Sequence, residues 1–281
     1  MAYERIIYEK APPIGRIVLN QPEKRNPLGY QRLSEIGVAA KEMERDEDIK
    51  VLIVKGAGPC FSAGYDISPV PPGSPQVNFP PDGVYVHPDR DWLWNAYNRQ
   101  HMDVYFTLWD LQKPVIAQIH SWCLAGGSEL AAFCDLRILA DNARIGWPVG
   151  RDLSPGNLQY MPWMVGITKA KEYMFTAEPM DAEEALRVGW ATRIHTLEKL
   201  EEETEKLAQK IASVPTDLIM FTKRSINAQF EAMGFRTGLL WGSEMMSLQK
   251  YRKSFGEFHR IRDEKGLKSA LQQRETERDI Y

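Results

Sequence analysis

The sequence predicts an α/β fold, because strand-like and helix-like patterns alternate along most of the chain. The internal strand candidates are built around apolar runs, as strands covered on both faces are. Near residue 200 the alternation stops, and almost everything that follows has helical periodicity.

In order, residues 3–8 and 16–20 flank a turn at 12–15 and predict a β-hairpin. A polar loop with Pro22 and Pro27 leads to a helix over about 29–46, in which Leu33, Ile36, Ala40 and Met43 share one stripe. Residues 50–55 contain the run Val51-Leu52-Ile53-Val54, a strand buried on both faces. A glycine-punctuated loop follows. Seven of the 18 prolines then fall between Pro69 and Pro88, with Trp92 and Trp94 close behind. A helix over 90–111 ends at Lys113-Pro114, and 115–119 is another buried strand. A helix starting near Gly126 carries Leu130 to Phe133, and 136–140 and 143–146 are strands. Helices are predicted over 170–175, 182–188 and 197–212, and again from Pro215 onward. The change of pattern divides the chain into residues 1–200 and a helical region, 201–281, suited to subunit packing or to self-packing.

Of the 281 residues, 43% are hydrophobic and 26% charged, which excludes wholesale disorder, collagen-like and membrane-spanning classes. A net charge of −3 leaves no basic field for nucleic acid. Three cysteines, Cys60, Cys123 and Cys134, make no disulfide framework and no C-x-x-C pair. Together with a charged N-terminus, where a signal peptide needs an apolar run, they predict a reduced, cytoplasmic protein. No H-E-x-x-H motif or clustered ligand spacing points to a metal. There is no G-x-S-x-G elbow and no complete dinucleotide fingerprint.

Two glycine-bearing loops, each after a buried strand, are the chemical signal. One reads Cys60-Phe61-Ser62-Ala63-Gly64-Tyr65-Asp66-Ile67, the other Trp122-Cys123-Leu124-Ala125-Gly126-Gly127-Ser128-Glu129-Leu130. Small residues there let a ligand approach the backbone. Where the second loop opens a helix, the first N–H groups lack intrahelical acceptors. Two such donors converging from separate loops make an oxyanion hole; isolated turn glycines are the plainer reading of the same residues.

The combination Pro22-Glu23-Lys24-Arg25-Asn26-Pro27, Phe61 to Ile67, Lys113-Pro114-Val115-Ile116-Ala117 and Gly126-Gly127-Ser128-Glu129-Leu130 with Cys134-Asp135 resembles the crotonase (enoyl-CoA hydratase/isomerase) superfamily. The likeness continues through Ala143, Gly146, Pro148, Pro155-Gly156, Lys171, Asp181-Ala182, Glu184-Ala185 and Gly189 to Gly266-Leu267-Lys268-Ser269-Ala270, and so covers nearly the whole chain in order. It implies a spiral of ββα units with a C-terminal helical trimerisation module, and an enzyme that binds acyl-CoA thioesters as a homotrimer or dimer of trimers. Coenzyme A would enter only as part of the substrate, with no separate cofactor.

Carried over by position, the resemblance makes the N–H groups of Tyr65 and Gly126 the oxyanion donors. Ala63, Asp66, Ile67 and Ser68 would line the CoA channel, and Lys24 or Arg25 would lie near its phosphates. Arg274, with Lys250 or Lys253, would reach the nucleotide from a neighbouring subunit. Glu129 lies one helical turn beyond Gly126, so its carboxylate can face the same cavity as general acid/base. A glutamate there also complements the helix dipole.

The chain departs from the hydratase pattern at Gly146-Trp147-Pro148-Val149, where Val149 stands in place of a second glutamate. Asp152, three positions on, is the candidate replacement, or else a partner for Arg151. His120 is placed near the pocket or in a structural role, and Trp147 and Val149 in its wall. His195 and His259 read as helix-surface residues. The proline segment reads as a lid or a surface insertion, with Trp92, Trp94 and Tyr97 an apolar wall for the acyl group.

Hydration of an enoyl-CoA is the leading expectation. Isomerisation, hydrolysis or C–C cleavage of a cyclic or aromatic thioester is the alternative, favoured by the missing glutamate. Pro155-Gly156-Asn157-Leu158, with Trp122-Cys123, is similar to hydroxycinnamoyl-CoA hydratase-lyases, although those enzymes keep the glutamate lost here. A non-catalytic acyl-CoA-binding protein is the third reading.

Overall fold

The computed structural model describes residues 3–68, 96–151, 154–247 and 255–276. The proline segment with Trp92 and Trp94, and Asp152, Lys250 and Lys253, lie outside the described residues.

Strands β1 (Ile6–Ala11) and β2 (Ile14–Leu19) form the predicted antiparallel hairpin. Helix α1 (Tyr30–Arg45) returns the chain to β3 (Val51–Gly56), which lies parallel to β2 with Ile53 opposite Arg16. Helix α2 (Ala96–Asp110) leads to β4 (Val115–Ile119), parallel to β3. Then come β5 (Trp122–Leu124), α3 (Gly126–Ala132), β6 (Leu136–Ala140) and β7 (Arg144–Gly146). Helices α4 (Met161–Val165) and α5 (Ile167–Thr176), strand β8 (Met180–Asp181), α6 (Ala182–Arg187) and β9 (Arg193–His195) follow. The chain continues as α7 (Leu200–Ala212), α8 (Thr216–Ala232), α9 (Phe235–Ser247), α10 (Phe255–Lys265) and α11 (Leu267–Thr276).

The strands make two sheets, β1-β2-β3-β4-β6-β9 and β5-β7-β8. Sequence reasoning missed β5, β8 and β9: strands of two or three residues show no periodicity. His195, expected on a helix surface, ends β9 instead.

The double burial of the inner strands is visible residue by residue. On one face of the larger sheet Ile17, Leu52, Val54, Val115 and Ala117 pack with Leu33, Ile36 and Met43 of α1. On the other, Ile14, Val51, Ile53, Ile116 and Ile138 pack with Leu200, Leu207, Ala208 and Ala212 of α7. Each fully buried Val, Leu or Ile contributes about 1.5–3 kcal/mol, so the polar-free run Val51–Val54 is the expected signature of a strand sandwiched between helices.

Helices α8 and α9 are anchored by an aromatic group, with the Phe235 ring 4.6 Å from Trp109 and 5.4 Å from Trp163. A buried ion pair adds to it: Lys223 Nζ of α8 lies 2.8 Å from Asp135 Oδ2, which also accepts the Val115 N–H. The C-terminal pair α10–α11 carries its own small core of Phe258, Ile261 and Ala270, and this core packs on Ile67 and Val149. The last helices therefore reach the loop that follows β3 and the turn that follows β7.

Candidate active site

The first loop is held by one buried side chain. Asn26 follows Arg25, and both take left-handed conformations (φ 51° and 63°), which Asn tolerates better than most residues. Its Nδ2 donates to the carbonyls of Ala57 (2.8 Å) and Cys60 (2.9 Å), and its Oδ1 accepts the Gln21 N–H. The Ser62 hydroxyl donates to the Asn26 carbonyl and accepts the Gly64 N–H. Asn26→Ala leaves several buried backbone groups without partners, each costing about 1–3 kcal/mol. We expect the denaturant midpoint to fall by the equivalent of at least about 2 kcal/mol, with weakened CoA binding; an unchanged midpoint would show that the loop does not depend on this side chain.

Past Ser62 the chain runs between two neighbours. On one side Leu28 N–H donates to the Gly64 carbonyl and Asp66 N–H to the Leu28 carbonyl. Residues 64 and 66 thus face Leu28, and the intervening Tyr65 N–H points to the opposite edge. On that edge Ser62 pairs with Cys123, and Gly64 approaches Leu124 and Gly126.

The second loop turns from β5 into α3 at Ala125, whose φ of 47° and ψ of −122° suit glycine better than an L-residue. Such a conformation costs on the order of 1–3 kcal/mol and persists where the surroundings over-determine it. Here Ala125 N–H donates to the Gly146 carbonyl, and the Ala125 carbonyl accepts the Glu129 N–H and the Ser128 hydroxyl, which in turn accepts from Tyr160. The turn leaves the Gly126 N–H at the start of α3, without an intrahelical acceptor.

Glu129 is fully buried. Its Oε1 accepts the Leu158 N–H at 3.0 Å and its Oε2 the Tyr65 hydroxyl at 2.5 Å. Burial outweighs these bonds and pushes the carboxyl up to about 8. The Tyr65 hydroxyl also lies 2.8 Å from the Tyr105 hydroxyl and 3.4 Å from Asn157 Nδ2. Asn157 Oδ1 is buried with no hydrogen-bond partner among the described residues. The Tyr65 ring rests on Gly126, where a Cβ would come within 2.9 Å of it, and meets Trp147 edge-on at 6.4 Å.

The fold therefore brings together Tyr65, Gly126, Glu129 and Trp147. Val149 faces elsewhere, against the core of α10–α11 together with Ile67. His120 joins a different group, its Nε2 lying 2.9 Å from the Gly58 carbonyl oxygen. Ala63 N–H donates to the Arg25 carbonyl, so the loop bearing Lys24 and Arg25, both exposed, adjoins the stretch Ala63–Ser68. Asp66 caps its own turn by accepting the Ser68 N–H. Tyr97 falls in the first turn of α2 and Arg274 in α11.

Sequence reasoning missed Tyr105, Asn157, the Leu158 N–H and the side chain of Tyr65. A large phenol directly after a loop glycine is the one signal that could have drawn attention to it. The cysteines are buried, and burial raises the thiols, Cys134 to about 12, which disfavours thiolate chemistry. Among the described residues no cluster of His, Cys, Asp and Glu could hold a metal, and no helix is long and apolar enough to cross a membrane.

A sequence profile described as enoyl-CoA hydratase/isomerase matches residues 89–257. The crotonyl-CoA hydratase of Syntrophomonas wolfei is 32% identical over 231 residues, 81% of this chain and 83% of that protein. The short-chain-enoyl-CoA hydratase of Clostridium acetobutylicum is 30% identical over 275 residues, 96% of this chain and 95% of that one. Among solved structures, an enoyl-CoA hydratase/isomerase from Xanthobacter autotrophicus Py2 superposes with a TM-score of 0.85 at 27% identity, covering 98% of this chain and 99% of its own. An enoyl-CoA hydratase from Mycobacterium smegmatis gives 0.84 at 26% identity, with 96% and 93% covered.

Proposed function

The chain belongs to the enoyl-CoA hydratase/isomerase family, and from that membership we propose that it adds water reversibly across the double bond of an α,β-unsaturated acyl-CoA thioester. The observation that carries this reading is the buried Glu129 carboxyl beside the converging loops of Tyr65 and Gly126. The thioester oxygen is received by the Tyr65 and Gly126 N–H groups, which stabilise the enolate formed as water adds. A single such donor is worth about 3–4 kcal/mol of barrier. The carboxylate of Glu129 takes a proton from the water. Asn157 Oδ1, a buried acceptor without a partner among the described residues, holds the hydrogen that the water keeps. Together they do the holding that a second carboxylate would do, since Val149 cannot.

The CoA moiety is proposed to run along Ala63 and Asp66–Ser68, with Lys24 or Arg25 near its phosphates and Arg274 contributed to the nucleotide by a neighbouring subunit. Trp147 forms part of the acyl wall. Self-association as a homotrimer or dimer of trimers is supported by apolar side chains left in the open on α8 and α9, among them Phe221 (73% exposed) and Trp241 (60%). Leu218 and Ile226 of α8 border a cavity of about 740 Å³ that none of the site residues lines.

The reading is tested by mass spectrometry of products from crotonyl-CoA, octenoyl-CoA and cinnamoyl-CoA. A product heavier by one water is expected from at least one of them. A product of unchanged mass with a shifted double bond favours the isomerase reading, which needs only Glu129; release of an aldehyde favours C–C cleavage. The pH dependence is a second expectation. Below about 8 the buried carboxyl is protonated and cannot take the proton from water, so kcat/KM for hydration rises with pH through a midpoint near 8. A flat profile across that range removes Glu129 as the base.

A further inference from the structure

We propose that the phenol of Tyr65 is the second proton-transfer group of this site, passing the proton between Glu129 and the α-carbon of the acyl thioester. The inference deepens the hydratase reading and rests on it. A hydration has two proton events, one at the attacking water and one at the α-carbon, and among the described residues the site holds one carboxylate, Glu129, to serve both. The side chain that stands between Glu129 and the oxyanion donors is Tyr65. Its ring lies flat on Gly126, whose N–H receives the thioester oxygen, and the α-carbon is one bond from that carbonyl. Its hydroxyl lies 2.5 Å from Glu129 Oε2. A proton travelling from Glu129 toward the thioester therefore meets the phenol oxygen first.

The position of the ring is fixed on several sides. Gly126 has no side chain to push it away, Trp147 meets its edge, and Tyr105 holds the hydroxyl at 2.8 Å from within the core. Tyr105 is itself stacked on Phe133 at 5.3 Å. This is the preorganisation that a proton relay needs, since the acceptor and donor oxygens are already at bonding distance before substrate binds. Burial and the neighbouring Glu129 keep Tyr65 protonated well above its ordinary range, so the group that meets the enolate is a neutral O–H donor.

The balance closes. The water O–H bond breaks, its proton goes to the Glu129 carboxylate, and the oxygen bonds to the β-carbon as the π electrons move into the thioester enolate. The enolate then takes the Tyr65 O–H proton at the α-carbon. The phenolate oxygen takes the proton now on Glu129. The substrate has gained one water, and Glu129 and Tyr65 return to their starting forms.

The test is Tyr65→Phe in the full-length protein, measured on whichever of the three thioesters the wild type hydrates. Phenylalanine keeps the ring on Gly126 and keeps the backbone donor, so the fold, CoA affinity and KM should stay close to wild type. The hydroxyl's lost bonds to Glu129 and Tyr105 lower the melting temperature without unfolding the protein at the assay temperature. The expected result is a kcat lowered about 10²-fold or more, the range typical of a lost acid–base group. Because the two groups would act as one relay, Tyr65→Phe combined with Glu129→Gln should be no slower than Glu129→Gln alone. A kcat for Tyr65→Phe close to wild type, or losses that multiply in the double variant, would overturn the relay and leave the hydratase reading standing. Failure of the wild type to hydrate any of the thioesters overturns both.

Discussion

Glu129→Gln should lower hydration of the best thioester by about 10²–10⁴-fold, the span measured for removal of a general acid–base group, while CoA affinity is kept. Glutamine has nearly the shape of glutamate and can still accept the Leu158 N–H, so the packing around it is preserved. What it lacks is the ability to take a proton from water. The same variant should be more stable than the wild type at alkaline pH. A glutamate in the unfolded chain ionises near 4.5, whereas burial holds the folded one at about 8. Between those values the unfolded chain has given up the proton that the folded chain still binds. Stability therefore falls with rising pH across that window. Glutamine carries no charge and escapes the penalty, so the gap between the two melting curves should open above 4.5 and stop widening above about 8. Loss of turnover with a gain in stability is the mark of a strained functional group; loss of both would mean that Glu129 serves the fold. Retained turnover would remove it from the reaction.

The larger sheet was legible because its strands are covered twice. Val51–Val54 is apolar at every position, and Val115–Ile119 at every position but Gln118, because α1 and α2 lie on one face and α7 on the other. Of the short strands, Arg144–Gly146 was legible within the stretch 143–146, but Trp122–Leu124 was not, since it owes its existence to its partners Ser62 and Arg144, which are distant in sequence. The site divides in the same way. The two glycine loops and Glu129 lie within local stretches whose spacing can be read directly. Tyr65 as a side chain cannot be read so, because its contact with Glu129 spans 64 positions and depends on a left-handed Gly64. Asn157 and the Leu158 N–H are likewise brought in from a loop 28 or 29 positions beyond Glu129. Val149 could be seen to break the hydratase pattern, but only the packing of α10 and α11 shows where it goes.

Gly64→Ala should cost as much activity as the loss of a catalytic group, without touching one. Gly64 has φ of +103°, a region closed to side chains, so alanine there is strained by on the order of 1–3 kcal/mol. The space is closed as well. A Cβ would stand 2.8 Å from the Leu124 carbonyl oxygen and 2.8 Å from the Ala125 Cβ. Neither neighbour can give way easily: Leu124 is paired to Gly146 within the smaller sheet, and Ala125 is already held in its own strained turn. The loop carrying Tyr65 must retreat instead. That movement parts the two oxyanion donors and lifts the phenol from Gly126 and Glu129 in one step. A fall in kcat of about 10²–10³-fold follows from the lost donor alone, and the disturbed phenol adds to it. Gly29→Ala is the matched control, because Gly29 has φ of −108° and nothing within 4 Å of the added carbon. It should leave kcat and the denaturant midpoint near wild type. If Gly64→Ala did the same, the converging loops would not be the seat of the chemistry, however well their spacing reads.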